Sequence, residues 1–573
     1  MVILRPVRPR LPKGMFILMP KATGVSFPER KKAAMYDKTD VWQGRAARFL
    51  VIVLLCIQPL YLSPDRYIEL TYHKWSFFVF TMVVALLCVI AIWVYRLTRK
   101  PVLGPRGGLN FIDYAVLIFA IVTIISALAS PFRGAVDLAG QRPPMNVWIG
   151  IQEPEGRYDG AITQLLYVCV FFIVSRWYKP NIKDFMVFGV AASLVALVGV
   201  FQFFGMDFFR LWPNHIAEFR VENFFEIFFR TTIGNVNIVS TFASFAILLC
   251  GFLFIRLKSK WQPLWLAASA LNFWLLDISN SDSGIVGVAV TVFLAIPFII
   301  ETRKYFGRAL VLLSSWAAVF TLQRLLFDAN ILRAGEISRF FEYCEIQAAT
   351  VGSLLPFVAV FAVLLVAGLL LMKFSPEKDP QAPVKWRLGV ILVAAFLAAG
   401  LIGVEFLGRD AAERGDGFAG RILYEAREVL HGNIRPEMGS ARVHIWQNAL
   451  RVVPDNPIIG SGPDTFEFAF PEDAQGFMYV RFDTAHNEYV QILVTHGILG
   501  LLAYLVFLGG VFVTSVRKAF HNPLLMAVMA AFVGYGVQAF FNISLPIVSM
   551  ALWVFAGMLT NSRMREAASE DLR

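Results

Sequence analysis

The segment of this chain with the most chemically useful side chains covers residues 483–500. It begins with polar residues and continues as an apolar stretch with helical spacing, which indicates a helix entering a bilayer. His486 then falls at about the level of the lipid headgroups, and Asn487, Glu488 and Tyr489 share the same outer turn. An imidazole can accept or donate a proton near neutral pH. A polar cluster at this depth is well placed to meet a membrane-bound substrate.

Metal chemistry is not indicated by the other histidines or by the cysteines. His444, His486 and His496 do not have the spacing of zinc ligands, and no DxD-type acidic pair stands out in the long connecting segments. The five cysteines form no CxxC pair, and four of them lie in apolar runs, where they are expected to pack as small residues. We therefore predict neither a metal nor another cofactor.

The composition shows what kind of protein must position this segment. Of the 573 residues, 57% are hydrophobic and only 16% are charged, and the mean hydropathy is +0.62. A soluble protein carries about a quarter charged residues. This composition excludes soluble enzymes, disordered tails and disulfide scaffolds. It predicts an all-α, polytopic membrane protein.

A window of about 19 residues finds roughly fourteen candidate membrane spans. The weakest are the first, which is short, and the two on either side of residues 280–283. The spans lie near 46–63, 75–95, 111–130, 159–177, 184–204, 237–256, 262–279, 283–300, 309–326, 351–372, 387–407, 493–515, 523–541 and 546–561.

The net charge of +11 serves as a topology marker. Lys and Arg are concentrated in the first 45 residues and in alternate breaks between the spans, and all these breaks fall on the side of the N-terminus if there are fourteen spans. The positive-inside rule then predicts that both termini are cytoplasmic. The placement of the charge argues against nucleic acid as a partner.

The predicted organisation has five parts. A basic cytoplasmic arm covers residues 1–45, spans 1–11 cover 46–407, and an extracytoplasmic loop covers 408–485. Spans 12–14 cover 486–562, and a cytoplasmic tail covers 563–573. A loop of about 80 residues is rare unless it has a structure and a function of its own.

Two amphipathic helices and a tight turn are predicted inside the long loop. Apolar residues recur at helical spacing between Phe418 and Leu430 and again between Val443 and Val453, with Ser440 as a candidate N-cap of the second helix. The sequence from Gly460 to Asp464 is typical of a tight turn.

Four motifs together resemble the bacterial O-antigen ligase and O-antigen polymerase superfamily over about residues 155–515. The most specific is His486-Asn487 followed by Gly497 and Gly500, and the loop pattern from Arg442 through Asn456-Pro-Ile-Ile-Gly460 to Phe466 precedes it. The earlier motifs are Thr232-Ile-Gly234-Asn235-Val-Asn237 and, more loosely, Gly156-Arg157-Tyr-Asp-Gly160. The chain departs from the family at residues 280–284, where Asp282 or Ser283 stands in place of an arginine that contacts the donor. That role is therefore not transferred to this chain.

The resemblance implies transfer of a glycan from an undecaprenyl-diphosphate carrier to an acceptor hydroxyl, with inversion and without a metal. On that basis His486 is the candidate general base. Arg442 and Arg230 are candidates for binding the diphosphate, and Arg157 is a less favoured candidate for the same role. The remaining candidates for substrate binding are Asn487, Glu488, Tyr489, Asn235 and Asn237.

Simpler interpretations stand beside these roles. Arg230 ends an aromatic stretch typical of an interfacial anchor, Arg157 suits a structural role, and Arg442 could be a surface residue of an amphipathic helix. The acceptor could be a glycan, a lipid or a protein, so ligase, polymerase and protein glycosylation all remain open. The alternative functions are a lipid-linked oligosaccharide flippase and a membrane scaffold, although paired halves and mid-membrane ionisable residues are not evident. The expected location is the bacterial cytoplasmic (inner) membrane, with the site facing the periplasm or exterior.

Overall fold

The computed structural model describes residues 27–99, 108–136, 143–153, 156–203, 208–209, 211, 231–279, 281–328, 354–375, 386–414, 417–479 and 481–566. Within them the chain is helical, with two isolated β-bridges as its extended pairing. The longer helices are α1 (Phe27–Ile52), α2 (Leu70–Arg99), α3 (Phe111–Ala129), α4 (Ala161–Trp177), α5 (Ile182–Phe203), α6 (Val236–Arg256), α7 (Gln262–Ile278), α8 (Asp282–Leu294), α9 (Arg303–Asp328), α10 (Leu354–Lys373), α11 (Trp386–Arg414), α12 (Gly417–Leu430), α13 (Arg442–Val452), α14 (Glu488–Ala519), α15 (Pro523–Gln538) and α16 (Met550–Thr560).

The helical membrane fold is confirmed. In the described residues, α2, α3, α5, α6, α14 and residues 303–323 of α9 are long and apolar enough to cross a membrane. Shorter apolar helices lie within α4, α8, α10, α11, α15 and α16. Every predicted span falls on a helix, but 46–63 and 262–279 fall on helices outside these two groups. The count of fourteen crossings therefore stays a prediction.

Asparagine side chains begin several of these helices. Asn110, Asn235, Asn487 and Asn522 each accept a hydrogen bond from a backbone N–H in the first turn of α3, α6, α14 and α15. Such caps satisfy donors that have no partner inside the helix. The centre of the bundle is α6, whose apolar span is buried along its whole length.

The Lys- and Arg-containing segments between the helices lie at one end of the bundle. Asp40 pairs with both Lys179 and Arg563, Arg48 lies 2.5 Å from Asp184, and Arg176 lies 2.5 Å from Asp113. At the same end Arg256, at the end of α6, pairs with Glu301 and donates to the Phe520 carbonyl. The alternation of charge along the sequence thus corresponds to a physical end of the molecule.

Helix α14 is interrupted where it passes Gly497, whose φ of 66° and ψ of −170° are not helical. The break leaves backbone groups of α14 without partners inside the helix. The turn at residues 457–462 forms hydrogen bonds with these groups. Ser461 N donates to Val494 O at 2.9 Å, Gly462 N donates to Thr495 O at 3.0 Å, and Ile498 N donates to Pro457 O at 2.9 Å. Irregular backbone at membrane depth is tolerated when other protein groups satisfy it in this way.

The two amphipathic helices of the long loop are present as α12 and α13, within a residue of the predicted bounds. The predicted cap is wrong, because Ala441 occupies the cap position in a left-handed conformation and makes no side-chain cap bond. The buried side of α13 packs Ile445 and Ala449 with Phe466, Phe470 and other apolar residues, including Val494 of α14, in a second core distinct from the main core of the bundle.

Candidate active site

His486 lies immediately before α14 and not in its first turn, because Asn487 is the cap residue. The neighbouring Ala485 is held on both sides: its carbonyl accepts from Trp446 Nε1 at 2.9 Å and its N–H donates to Gln491 Oε1 at 2.9 Å. These bonds fix His486 between α13 and the start of α14. The sequence analysis missed Trp446 and Gln491 as positioning residues.

Left-handed backbone occurs at His486 and next to its two neighbouring arginines. Its φ is 46°, and Tyr158, Ser440, Ala441 and Asp464 also have positive φ values. Left-handed backbone is unfavourable for residues with a side chain and persists where surrounding contacts impose it, which is common at functional sites. The strained residues lie beside Arg157, beside Arg442 and in the turn that contacts Arg157.

Arg157 is buried between two carboxylates from distant parts of the chain. Its Nε lies 3.0 Å from Asp464 Oδ1, and its Nη1 lies 3.8 Å from Asp483 Oδ2. Burial alone would lower the pKa of Arg157, but the charges of Asp464, Asp483 and Asp159 raise it above its ordinary value. Arg157 is therefore a fixed positive charge that joins the 156–160 loop to the 460–464 turn.

Asp464 is a site residue that sequence analysis did not find. Besides Arg157, it accepts from the N–H groups of Ile151 at 2.8 Å and Asp159 at 3.4 Å. The signal was its place at the end of the Gly460–Asp464 turn, but local pattern indicated only a turn. Its partners are more than 300 positions away in the sequence, and no periodicity connects them.

Arg442 begins α13, and its Nη1 donates to the Gly439 carbonyl at 3.0 Å. It is close enough to His486 for its charge to act on the imidazole. Burial and then the positive charge of Arg442 lower the pKa of His486 from 6.5 to about 4, with Arg157 acting in the same direction and Asp483 opposing. His486 is consequently neutral at physiological pH and faces two guanidinium groups.

One ring nitrogen of His486 is not engaged by the described protein. Its Nδ1 is buried and has no hydrogen-bond partner among the residues the structure describes. A neutral imidazole has one nitrogen that accepts a proton. A neutral imidazole beside two guanidiniums suits removal of a proton from a hydroxyl next to a bound anion.

Three predicted residues beside His486 are engaged in protein contacts. The Asn487 side chain accepts from the N–H groups of Tyr489 and Val490 at 3.0 and 3.1 Å, so it caps α14. Glu488 accepts from Tyr504 and Tyr535, and the Tyr489 hydroxyl donates to Gly536 O at 2.7 Å.

The Thr232–Asn237 motif lies at the start of α6. Asn235 caps the helix, and Asn237 Oδ1 accepts from Ser281 Oγ at 3.1 Å within a polar network that includes Gln538 and Asn542. Arg230 lies outside the described residues. The structure thus places Arg157 and Arg442 beside His486 and puts Asn235 and Asn237 in a separate cluster.

His444, which the sequence places in the same long loop, has structural contacts. His444 stacks on Phe477 with ring centroids 4.1 Å apart, and its Nε2 lies 2.9 Å from the Ala474 carbonyl. Over the described part of the chain, no group of three or more His, Cys, Asp or Glu side chains could hold a metal ion.

Comparison with known families identifies one matching segment. Residues 348–505 match the family model described as O-antigen ligase, which confirms the resemblance over that segment. The match contains Arg442 and His486, whereas Arg157, Arg230, Asn235 and Asn237 precede it. No curated protein shows significant similarity to the chain.

Proposed function

We propose that this chain transfers a glycan from undecaprenyl diphosphate to an acceptor hydroxyl, because residues 348–505 match the O-antigen ligase family model and belong to a helical membrane protein. The observation that carries the proposal is the neutral His486 beside Arg442 and Arg157. The matched family implies a lipid-linked glycan substrate in general terms. The carrier and the roles of individual residues are the proposed part.

The proposed reaction is a single displacement. The acceptor oxygen bonds to the anomeric carbon while the bond from that carbon to the diphosphate oxygen breaks. The hydroxyl proton passes to His486, and the electron pair leaves with undecaprenyl diphosphate. Arg442 stabilises the negative charge that develops on the leaving diphosphate, since a guanidinium matches phosphate oxygens geometrically. Arg157 adds a second fixed positive charge and holds the surrounding turns together.

The low pKa of His486 fits this sequence of events. The free site holds the imidazole neutral, ready to accept a proton. A bound diphosphate introduces negative charge near the imidazole and raises its pKa, which makes His486 a stronger base once the donor is in place.

An apolar cavity of about 480 Å³ between α6, α8 and α9 is suited to the polyprenyl tail. Its lining includes Ile247, Phe252, Val292 and Leu313, with few polar atoms. Ile247 and Ile255, which both line it, lie roughly 16 and 28 Å along α6 from Val236, given the rise of a helix, so the cavity lies in the half of the bundle nearer the basic end. In our proposal the basic end of the bundle is cytoplasmic and the His486 site faces the exterior.

The first prediction concerns turnover of a synthetic undecaprenyl-diphosphate glycan by purified protein in nanodiscs. We expect His486→Ala to lose roughly 10²- to 10⁴-fold in kcat, because general-base catalysis has that magnitude. Arg442→Ala should lose roughly 10²- to 10³-fold through lost charge stabilisation. Running the assay with glycan, lipid and protein acceptors identifies the acceptor class.

Matched controls lie on the same outer segment. Arg451 is on α13 with Arg442 but forms an exposed pair with Asp473, and His431 is a half-exposed histidine that contacts Glu405. Arg451→Ala and His431→Ala should retain normal turnover. Full turnover by His486→Ala would rule out the proposed base.

A further inference from the structure

A small polar cavity of about 40 Å³ lies along the first turns of α14, next to α3, α4 and α16. Asp159, Gln164, Tyr167 and His496 line it together with Glu488. It is separate from the apolar cavity, and the proposed reaction does not use it. Polar side chains facing one internal space in a membrane protein require a partner.

Four polar atoms at this cavity lack a partner. Asp159 Oδ1, Gln164 Oε1, Tyr167 OH and His496 Nε2 are buried and form no hydrogen bond with any residue the structure describes. Their residues are 7%, 9%, 3% and 0% exposed. Leaving several buried polar atoms unsatisfied around one space is unfavourable, so the convergence indicates a bound species.

Neighbouring bonds show that these atoms mainly accept. The Thr495 hydroxyl donates its hydrogen to the Gln491 carbonyl at 2.7 Å and lies 2.8 Å from His496 Nδ1. Because that hydrogen is already used, Nδ1 carries the ring hydrogen and Nε2 of the neutral ring is an acceptor. The Gln164 amide nitrogen donates to the Asp159 carbonyl at 3.1 Å, which leaves its oxygen facing the cavity. The site therefore requires a positive or hydrogen-donating partner.

Three carboxylates line the cavity, namely Asp159, Glu488 and Asp464, and they differ in their partners. The Glu488 oxygens accept from Tyr504 at 2.6 Å and Tyr535 at 3.2 Å. Asp464, which also lines the cavity, is paired with Arg157 at 3.0 Å. Asp159 Oδ1 is thus the carboxylate oxygen here that no hydrogen bond satisfies. Burial raises the pKa of Asp159 well above its ordinary value, so its ionised form requires a positively charged partner.

We propose that this cavity binds a single alkali cation, Na⁺ or K⁺, with Asp159 as the anionic ligand. Gln164 Oε1 and the Tyr167 hydroxyl supply neutral oxygen ligands. A volume of about 40 Å³ holds a cation with one or two waters, since each water needs about 10–15 Å³ of such space. Waters complete the coordination, and a single carboxylate oxygen without a hydrogen-bond partner suits a monovalent ion better than Ca²⁺, which is usually bound by several carboxylates.

The cation also affects the neighbouring site. Asp159 is one of the carboxylates whose charge acts on Arg157. A cation bound at Asp159 would offset part of the negative charge that acts on Arg157. The inference does not depend on the reaction proposed above, because binding is measured without a glycan.

The test uses the purified full chain in nanodiscs. We expect ²²Na⁺ to bind saturably at about one ion per chain, and K⁺ to be tested as a competitor. The thermal midpoint should rise saturably when choline chloride is replaced by NaCl or KCl at constant ionic strength. Asp159→Asn should abolish both the binding and the cation-dependent shift.

Two further variants keep the result interpretable. Gln164→Met removes a neutral ligand and should weaken binding at least several-fold even if Asp159→Asn does not fold. Asp473→Asn makes the same carboxylate-to-amide change at an exposed pair and should leave binding unchanged. Absence of saturable binding and of a midpoint shift in the wild type would overturn the proposal, as would full binding by a folded Asp159→Asn.

Discussion

At the scale of single residues, the environment of His486 differs from that of His444, which lies in the same loop. His444 has a ring partner and a carbonyl, whereas His486 has a strained backbone, a buried nitrogen without a partner in the described structure, and two neighbouring cations. The sequence identified His486 by its place in a motif. It could not identify Asp464 or Trp446, because their roles depend on contacts between segments far apart in the chain.

The second prediction is the pH dependence of kcat/KM. A histidine acts as a general base only in its neutral form, and the pKa of His486 in the free enzyme is about 4. We therefore expect kcat/KM to fall as the pH drops through about 4. The acid limb of kcat should lie at higher pH, because the bound diphosphate raises the pKa of His486.

A variant checks the cause of this pKa. Arg442→Gln removes a positive charge that lowers the pKa of His486, so its acid limb in kcat/KM should move to higher pH. Arg451→Gln, on the same helix but in an exposed pair, should leave the limb in place. An acid limb that does not move in Arg442→Gln would show that another group titrates.

At the scale of elements, the break in α14 explains why the turn that contains Gly460 and the helix that contains Gly497 both carry a glycine where their backbones meet. Gly460 and Gly497 both have positive φ values, and the backbones of the two segments meet there. The hydrophobic run predicted α14 as a span, since periodicity reports apolar faces. It did not predict the break, because an isolated glycine inside an apolar helix also occurs without one.

The third prediction tests this backbone contact. A Cβ at Gly497 would lie 2.4 Å from the Ile458 carbonyl carbon, and one at Gly460 would lie 2.3 Å from Thr495 C. Gly497→Ala and Gly460→Ala should each destabilise the protein by roughly 3 kcal/mol or more, from overpacking and backbone strain together. The measurement is the thermal midpoint of the purified protein.

Gly509 is the control on the same helix. A Cβ there meets no atom within 4 Å, so Gly509→Ala should leave the midpoint unchanged or raise it slightly. Equal midpoints for Gly497→Ala and Gly509→Ala would show that the contact between the 457–462 turn and α14 does not stabilise the protein.

At the scale of the whole molecule, the proposed donor engages two regions, with its diphosphate at the His486 site and its tail in the apolar cavity. Composition and charge alternation predicted the membrane bundle and its basic end, because both are summed along the chain. The two cavities could not be predicted, since each is formed by helices whose packing is not encoded in local pattern.

The fourth prediction tests the apolar cavity. Ala289 on α8 lines this cavity, and this residue is exposed rather than buried against other residues. Ala289→Trp should therefore fill part of the cavity without disturbing a packed core. The KM for an undecaprenyl donor should rise roughly tenfold or more, since each displaced CH₂ is worth about 0.8 kcal/mol. A donor with a short lipid should show little change.

The control is another alanine facing outward from the bundle. Ala91 on α2 is exposed and lies outside the cavity, so Ala91→Trp should leave the KM of both donors unchanged. If Ala289→Trp affects neither donor, the tail does not bind between α6, α8 and α9.

The contact between the 457–462 turn and α14 also has a consequence for synthesis and membrane insertion of the protein. Residues 457–462 precede α14 in the chain, so the ribosome delivers the turn before the helix whose break it completes. The backbone groups exposed at Gly497 therefore find their partners already synthesised when α14 enters the membrane. A circularly permuted chain that places the loop after α14 would insert this helix without those partners, and we expect it to be recognised as misassembled and degraded.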